Sequence, residues 1–166
     1  NTLTTDQIIA LGTAQLAGLT TTQVQNLLSS QIGAIETRDI GSLKTAQIAT
    51  LTSVHVGGII ADQIGGMKAA QLAAITTSLG TLTSDVIVAL ASAQIAALTT
   101  RQITNLSSDQ LQAIEGRDVV GLTTAQLRVI GSDNLQALYT SQIGSLAASQ
   151  VQGISTAQVQ LLTSAQ

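Results

Sequence analysis

From Thr4 onward the chain reads as consecutive octets: TTDQIIAL, GTAQLAGL, TTTQVQNL, LSSQIGAI, ETRDIGSL, KTAQIATL, and so on to a closing TSAQ. An octet holds Thr or Ser, a small residue, a variable one, Gln, an aliphatic, a variable one, a small one, and Leu or Ile. Position 5 is always aliphatic, and position 8 departs from Leu or Ile only at Met67. A period of eight rules out one continuous helix. Eight residues at ~100° each advance ~800°, so an apolar pair repeated every octet drifts ~80° per repeat and leaves no fixed face. The chain must therefore break and restart in every repeat.

The repeat runs through the whole chain with one irregularity: TTSLGTL, residues 76–82, is one residue short and has no glutamine. A longer repeat lies above it, because ETRDIGSL from Glu36 returns as EGRDVVGL from Glu115, an offset of 79 residues (115 − 36). The segment LAGLTTTQVQNL from Leu16 aligns with IAALTTRQITNL from Ile95 at that same offset. Ten octets less one residue is the copied block. Residues 1–166 are thus expected to be a single octet-repeat solenoid cut from a longer array. Blocks of ten suit two or five octets per turn and fit three less naturally.

Thr-x-x-Gln before an apolar residue is the capping-box pattern: the hydroxyl accepts from the amide three residues on, and the glutamine reaches back to the cap amide. Gln, Ala and Leu are good helix formers, while Thr and Ser at positions 1 and 2 compete for backbone groups and favour caps. The expected fold is therefore all-α: a superhelix of helices about one and a half turns long, one per octet, with positions 5 and 8 inside. Helices this short are stable only when stacked on neighbours. Small residues at positions 2 and 7, such as Thr13 with Gly18 or Ser92 with Ala97, let backbones approach. The alternative is a β-solenoid with eight-residue faces, which calls for Gly, Asn or Asp at a fixed octet position; the 14 glycines are scattered instead.

The structural residues picked out by this pattern are Gln7, Gln15, Gln23, Gln31, Gln47, Gln63, Gln71, Gln94, Gln102, Gln110, Gln126, Gln142, Gln150 and Gln158, each a cap, a ladder onto a neighbouring coil, or both. Glu36, Arg38 and Asp39, with Glu115, Arg117 and Asp118, fill octet positions 1, 3 and 4. Two carboxylates around an arginine suggest acid/base work or a hard cation. The repeat phase favours a structural reading, with Glu and Asp replacing the capping Thr and Gln and the arginine pairing with either. Outward-facing arginines would then recur along the rod and serve lateral contacts between fibres. Asp6, Asp62, Asp85, Asp109 and Asp133, all at position 3, read as exposed first-turn acids. His55 replaces a glutamine.

Composition narrows the function. With 45% hydrophobic residues the chain is ordered, yet it has one aromatic, Tyr139, and no Phe, Trp, Pro or Cys, so its core must be a regular one that small aliphatics fill. A net charge of −3 with 9% charged residues leaves no basic stripe for a phosphate backbone, so nucleic acid is not an expected partner. No stretch approaches the ~18 apolar residues of a membrane span. Without Cys, and with a single His, there is no thiolate or His-rich metal site, no cofactor is expected, and the serines lack a base partner. The opening NTLTTDQ has no signal-peptide character.

The octets, as in TTAQLRVI and STAQVQLL, resemble LTTAQIAALTTAQ-type arrays of very large secreted or surface proteins of Gram-negative bacteria, often labelled adhesins or haem-utilisation/adhesion proteins. The resemblance covers the whole chain and implies an extracellular structural role; it brings no ligand-binding residue with it. The expected function is that of a non-enzymatic stalk, fibre, surface filament or adhesin segment that self-associates head to tail or laterally. Alternatives are a binding module whose solenoid surface holds a peptide, a carbohydrate or another cell-surface ligand, and ice binding by Thr rows.

Overall fold

A computed structural model describes residues 3–77 and 79–166. The first two residues of the opening NTL, and Ser78 of the short repeat, lie outside the described residues. Octets are numbered here from residues 4–11 (octet 1) through the short octet 10 (76–82) to 155–162 (octet 20).

The described residues form one short α-helix per octet, from Thr5–Ile9 in octet 1 to Thr156–Val159 in octet 20, with a 3-10 turn, Leu79–Thr81, in octet 10. No strand occurs among them, so the β-solenoid is excluded. Each helix is four to six residues long. It starts from an extended N-cap, for example Thr4 at φ −84° and ψ 165° or Lys68 at φ −73° and ψ 149°. No described residue takes a positive φ. That is the reason no octet position is reserved for glycine: the chain turns through extended residues between right-handed helices, as at Leu19 and Thr20, a conformation any L-residue adopts.

Stacking follows a fixed rule. The helix of octet 5 (Thr37–Ile40) packs on that of octet 8 (Ala61–Gly66), octet 8 on octet 11 (Ser84–Val88), octet 11 on octet 14 (Ser108–Ala113), and octet 14 on octet 17 (Ser132–Ala137). Neighbours are three octets apart throughout, and the glutamine bonds described below reach four octets back. A turn therefore holds between three and four octets. Duplication in blocks of ten octets, which suits two or five per turn more naturally than three, therefore did not respect the structural phase.

Positions 5 and 8 line the interior as one continuous cluster from Ile8 to Ile154, with Ile32, Val56, Ile64, Leu72, Leu79 and Ile103 fully shielded. Val151 and Val159, also at position 5 but in the last turn, are 47% and 49% exposed because no later turn covers them. The tight approach between turns joins position 7 of one octet to position 2 of the octet three earlier. A Cβ on Gly58 would stand 2.6 Å from the Ser29 carbonyl oxygen, and one on Gly66 2.6 Å from that of Thr37. Gly58 and Gly66, both at position 7, thus mark places where two turns approach too closely for a side chain.

Candidate functional site: a ladder of glutamines

Every glutamine at position 4 closes its own helix. Oε1 accepts from the N-cap amide, as Gln7 does from Thr4 (2.8 Å), Gln15 from Gly12 (2.9 Å), Gln23 from Thr20 (2.7 Å), Gln71 from Lys68 (2.6 Å) and Gln158 from Ser155 (2.9 Å). Where position 1 carries a hydroxyl the box is reciprocal: the Thr20, Thr99, Ser107, Thr123 and Ser155 oxygens accept from the backbone N–H of the glutamine. Elsewhere, as at Gly12, Lys68 and Ala91, the glutamine alone caps.

The other end of the same amide joins the turns. Gln63 Nε2 donates to the carbonyls of Ile32 (2.7 Å) and Ile35 (2.6 Å), which are positions 5 and 8 of the octet four earlier. Gln47, Gln71, Gln94, Gln102, Gln110, Gln126, Gln142, Gln150 and Gln158 repeat this pair of bonds onto their own fourth-preceding octets. Gln31 donates to Leu3. Gln7, Gln15 and Gln23, in the first turn, are exposed. Position-8 carbonyls have no helix partner of their own, so the glutamine satisfies a buried acceptor that the short helix leaves open.

The variants at position 4 show which parts of the side chain matter. His55 substitutes fully at one end and partly at the other: Nδ1 accepts from the Thr52 amide at 3.2 Å, and Nε2 lies 2.9 Å from the Leu27 carbonyl, a geometry that requires the proton on Nε2. With one N–H instead of two, it makes one inter-turn bond. Asn134 is shorter; its Nδ2 reaches the Leu106 carbonyl at 3.1 Å while Oδ1 accepts from the Ser108 hydroxyl.

Asp39 and Asp118 are buried acceptors with no proton to offer a carbonyl. Asp118 Oδ1 turns to the octet three earlier and accepts from the Ser92 amide (2.9 Å) and hydroxyl (2.7 Å), capping the first turn of that helix, while Oδ2 takes Arg117 Nε at 3.3 Å. Arg117 also bridges Glu115 at 2.6 Å, and the first copy repeats this with Arg38 to Glu36 (2.7 Å) and Asp39 (3.2 Å). Glu36 and Glu115 occupy N-cap positions without making a side-chain cap bond. The expectation that they replace the capping Thr is corrected: the arginine draws each carboxylate away from its helix. The Arg38 guanidinium is held more firmly protonated than usual, first by its hydrogen bond to Asp39 and then by the charges of Glu36 and Asp39.

Position 6, patternless in the sequence, carries a second set of ties. Gln112 Nε2 donates to Ala137, Arg128 Nε to Gly153 (3.1 Å), and Gln136 Nε2 to Leu161 (2.9 Å), each onto position 7 three octets ahead. The signal was the length of the polar side chain, legible only once the pitch is known.

A shallow cleft of about 390 Å³ borders the short octet, lined by residues that include Thr76, Thr77, Arg101 and Asn105. The Oγ1 of Thr77 is buried there without a hydrogen-bond partner among the described residues. No group of three or more His, Cys, Asp or Glu side chains able to hold a metal, and no helix long and apolar enough to cross a membrane, occurs among the described residues.

Such an array, in which most units cap themselves and tie into earlier units through one glutamine side chain, defines a helical repeat solenoid. Residues 111–148 match the family model of the ALTTAQ repeat, so this stretch is an octapeptide-repeat segment of that kind. No curated protein matches the chain.

Proposed function

We propose that the chain is a non-enzymatic structural rod, a stalk or fibre segment that works outside the cell and self-associates. The observation that carries this reading is the self-complementarity of the octet. An octet with glutamine at position 4 offers its side-chain amide to the octet four earlier, which presents two carbonyls in return, as Gln63 with Ile32 and Ile35. A unit that binds its own kind at a fixed interval extends a coil without limit, and a heterologous contact that does not close makes a filament. The Thr, Ser and Gln surface suits a solvent-exposed rod. The extracellular, adhesin-type setting rests on the likeness of the octets to arrays of large bacterial surface proteins. Negative-stain electron microscopy and light scattering of the purified chain test it: rods or filaments whose mass grows with concentration are expected, and compact monomers at all concentrations overturn self-association.

A further inference from the structure

Asp62, Asp85, Asp109 and Asp133 all stand at position 3, in octets 8, 11, 14 and 17. The helices that carry them, Ala61–Gly66, Ser84–Val88, Ser108–Ala113 and Ser132–Ala137, stack directly on one another in that order. The four carboxylates therefore form a column climbing one side of the rod, one per turn, spaced by the ~8–10 Å typical of packed helices. All four are exposed, and none has an ion pair; the four salt bridges found among the described residues belong to the two Glu-Arg-Asp rungs.

Neither helix capping nor gene duplication accounts for the column. The macrodipole favours an acid at position 3 of any octet, yet beyond Asp6 the position-3 acids are confined to this one row. Duplication shifts residues by 79, and the block counterparts of Asp62, Asp109 and Asp133 are Ser141, Ser30 and Val54. Only Asp85, with Asp6, is a copied acid. A block of ten octets also moves a residue out of its column, since stacked neighbours are three apart.

The cations are placed elsewhere. Below Asp62 the column continues to Arg38, already closed on Glu36 and Asp39. Lys44 and Lys68, at position 1 of octets 6 and 9, are exposed, take part in no salt bridge among the described residues, and are the N-caps of helices that pack on each other. They are 24 residues apart (68 − 44), the same three-octet interval as Asp85 to Asp109 (109 − 85) and Asp109 to Asp133 (133 − 109). Arg101 and Arg128 mark a further pair of stacked helices, in octets 13 and 16.

We propose that the Asp62–Asp85–Asp109–Asp133 column is a lateral docking stripe for a second copy of this chain, which presents its Lys44 and Lys68 column at the same pitch. Both columns belong to one coil, so their axial spacing is equal by construction, and side-by-side rods keep their charges in register over consecutive turns. Four unpaired carboxylates stacked about a Debye length apart repel one another weakly, and cations from a neighbouring rod relieve that repulsion. In the Glu-Arg-Asp rungs each arginine is already bridged to two carboxylates of its own octet, so these rungs are not the lateral contact.

This inference rests on the reading of the chain as a self-associating rod. The test is sedimentation velocity with electron microscopy on the whole chain at low and high salt, comparing the wild type with an Asp62→Asn/Asp85→Asn/Asp109→Asn/Asp133→Asn variant and a Lys44→Glu/Lys68→Glu variant, each verified as helical by circular dichroism. Side-by-side pairs that dissociate as salt rises are expected. Each variant should associate laterally about threefold or more weakly, since the two exposed lysine–carboxylate pairs, each of them weak, are lost together. An Asp85→Lys/Asp109→Lys variant should pair with the Lys44→Glu/Lys68→Glu variant and with neither itself nor the wild-type lysine face. Lateral pairs unaffected by these substitutions, or formed only when a divalent cation is added, overturn the stripe. End-to-end rods that never pair sideways overturn the stripe and leave the rod reading standing, whereas the absence of any association removes both.

Discussion

Replacing Gln71 by alanine isolates the side chain on which the coil depends. Gln71 is 1% exposed and makes three hydrogen bonds through its amide: from the Lys68 amide to Oε1 (2.6 Å), and from Nε2 to the carbonyls of Ile40 (3.0 Å) and Leu43 (2.7 Å). Position 1 here is a lysine, so no hydroxyl shares the capping. At about 1 kcal/mol net per bond, Gln71→Ala should cost about 3 kcal/mol, with more if the void does not collapse. Gln15 is the internal control: it is exposed and makes only the cap bond, to Gly12 at 2.9 Å, so Gln15→Ala should cost about 1 kcal/mol or less. The difference of about 2 kcal/mol measures the two inter-turn bonds. Gln71→Glu is sharper still, because it keeps an acceptor for Lys68 but sets a buried carboxylate oxygen against two carbonyls; it should be the most damaging of the three. Urea unfolding gives the stabilities, and native-state amide exchange at Lys68 localises the loss, which matters in a repeat array whose unfolding need not be two-state. Equal costs for Gln71→Ala and Gln15→Ala, or a Gln71→Glu variant as stable as the wild type, would refute the account of the glutamine as a tie between turns.

Three further substitutions follow from single contacts. His55→Gln restores the second inter-turn bond that the imidazole cannot make and should stabilise the chain by about 1 kcal/mol in the same urea assay. Gly58→Ala drives a Cβ into the Ser29 carbonyl and should cost about 1–3 kcal/mol as overpacking, whereas Gly18→Ala, helical with nothing within 4 Å of the new carbon, should gain up to about 1 kcal/mol from helix propensity; thermal melts of the pair should move in opposite directions. Thr77→Val replaces a buried hydroxyl that has no partner among the described residues by a methyl group and should raise the melting temperature, with a gain of about 1 kcal/mol.

The helix in each octet was legible because both of its determinants are local. Thr-x-x-Gln marks the cap, and the mismatch between eight residues and a 3.6-residue period forces the break. The interior was legible for the same reason: Ile32 and Ile35 stand at positions 5 and 8 of their octet, and no other positions are consistently apolar. What the sequence withheld all depends on pitch. That Gln63 donates to Ile32 and Ile35, that Gly58 faces Ser29, and that Gln136 reaches Leu161 are relations between residues 25 to 31 apart. They follow only when a turn is known to hold between three and four octets, and nothing local encodes that number. The block of ten octets pointed toward two or five because it records how the gene grew. Asp118 misled for a related reason: its place in the octet suggested a cap for its own helix, while its short side chain and the adjacent arginine turned it to Ser92 on the neighbouring turn.

The stacking of octets three apart is tested most directly by an engineered cross-link, since the chain has no cysteine of its own. A Cβ on Gly116, in octet 15, would stand 3.9 Å from the Cβ of Ser145, in octet 18, close to the mean separation in a disulfide. The Gly116→Cys/Ser145→Cys chain should therefore form an intramolecular disulfide under mild oxidation, read by mass spectrometry of proteolytic fragments. The Gly116→Cys/Ala137→Cys chain, whose second cysteine stands at the same position one octet earlier, should not. A disulfide in the first variant alone is the predicted result; cross-linking in neither, or in both equally, would contradict the coil.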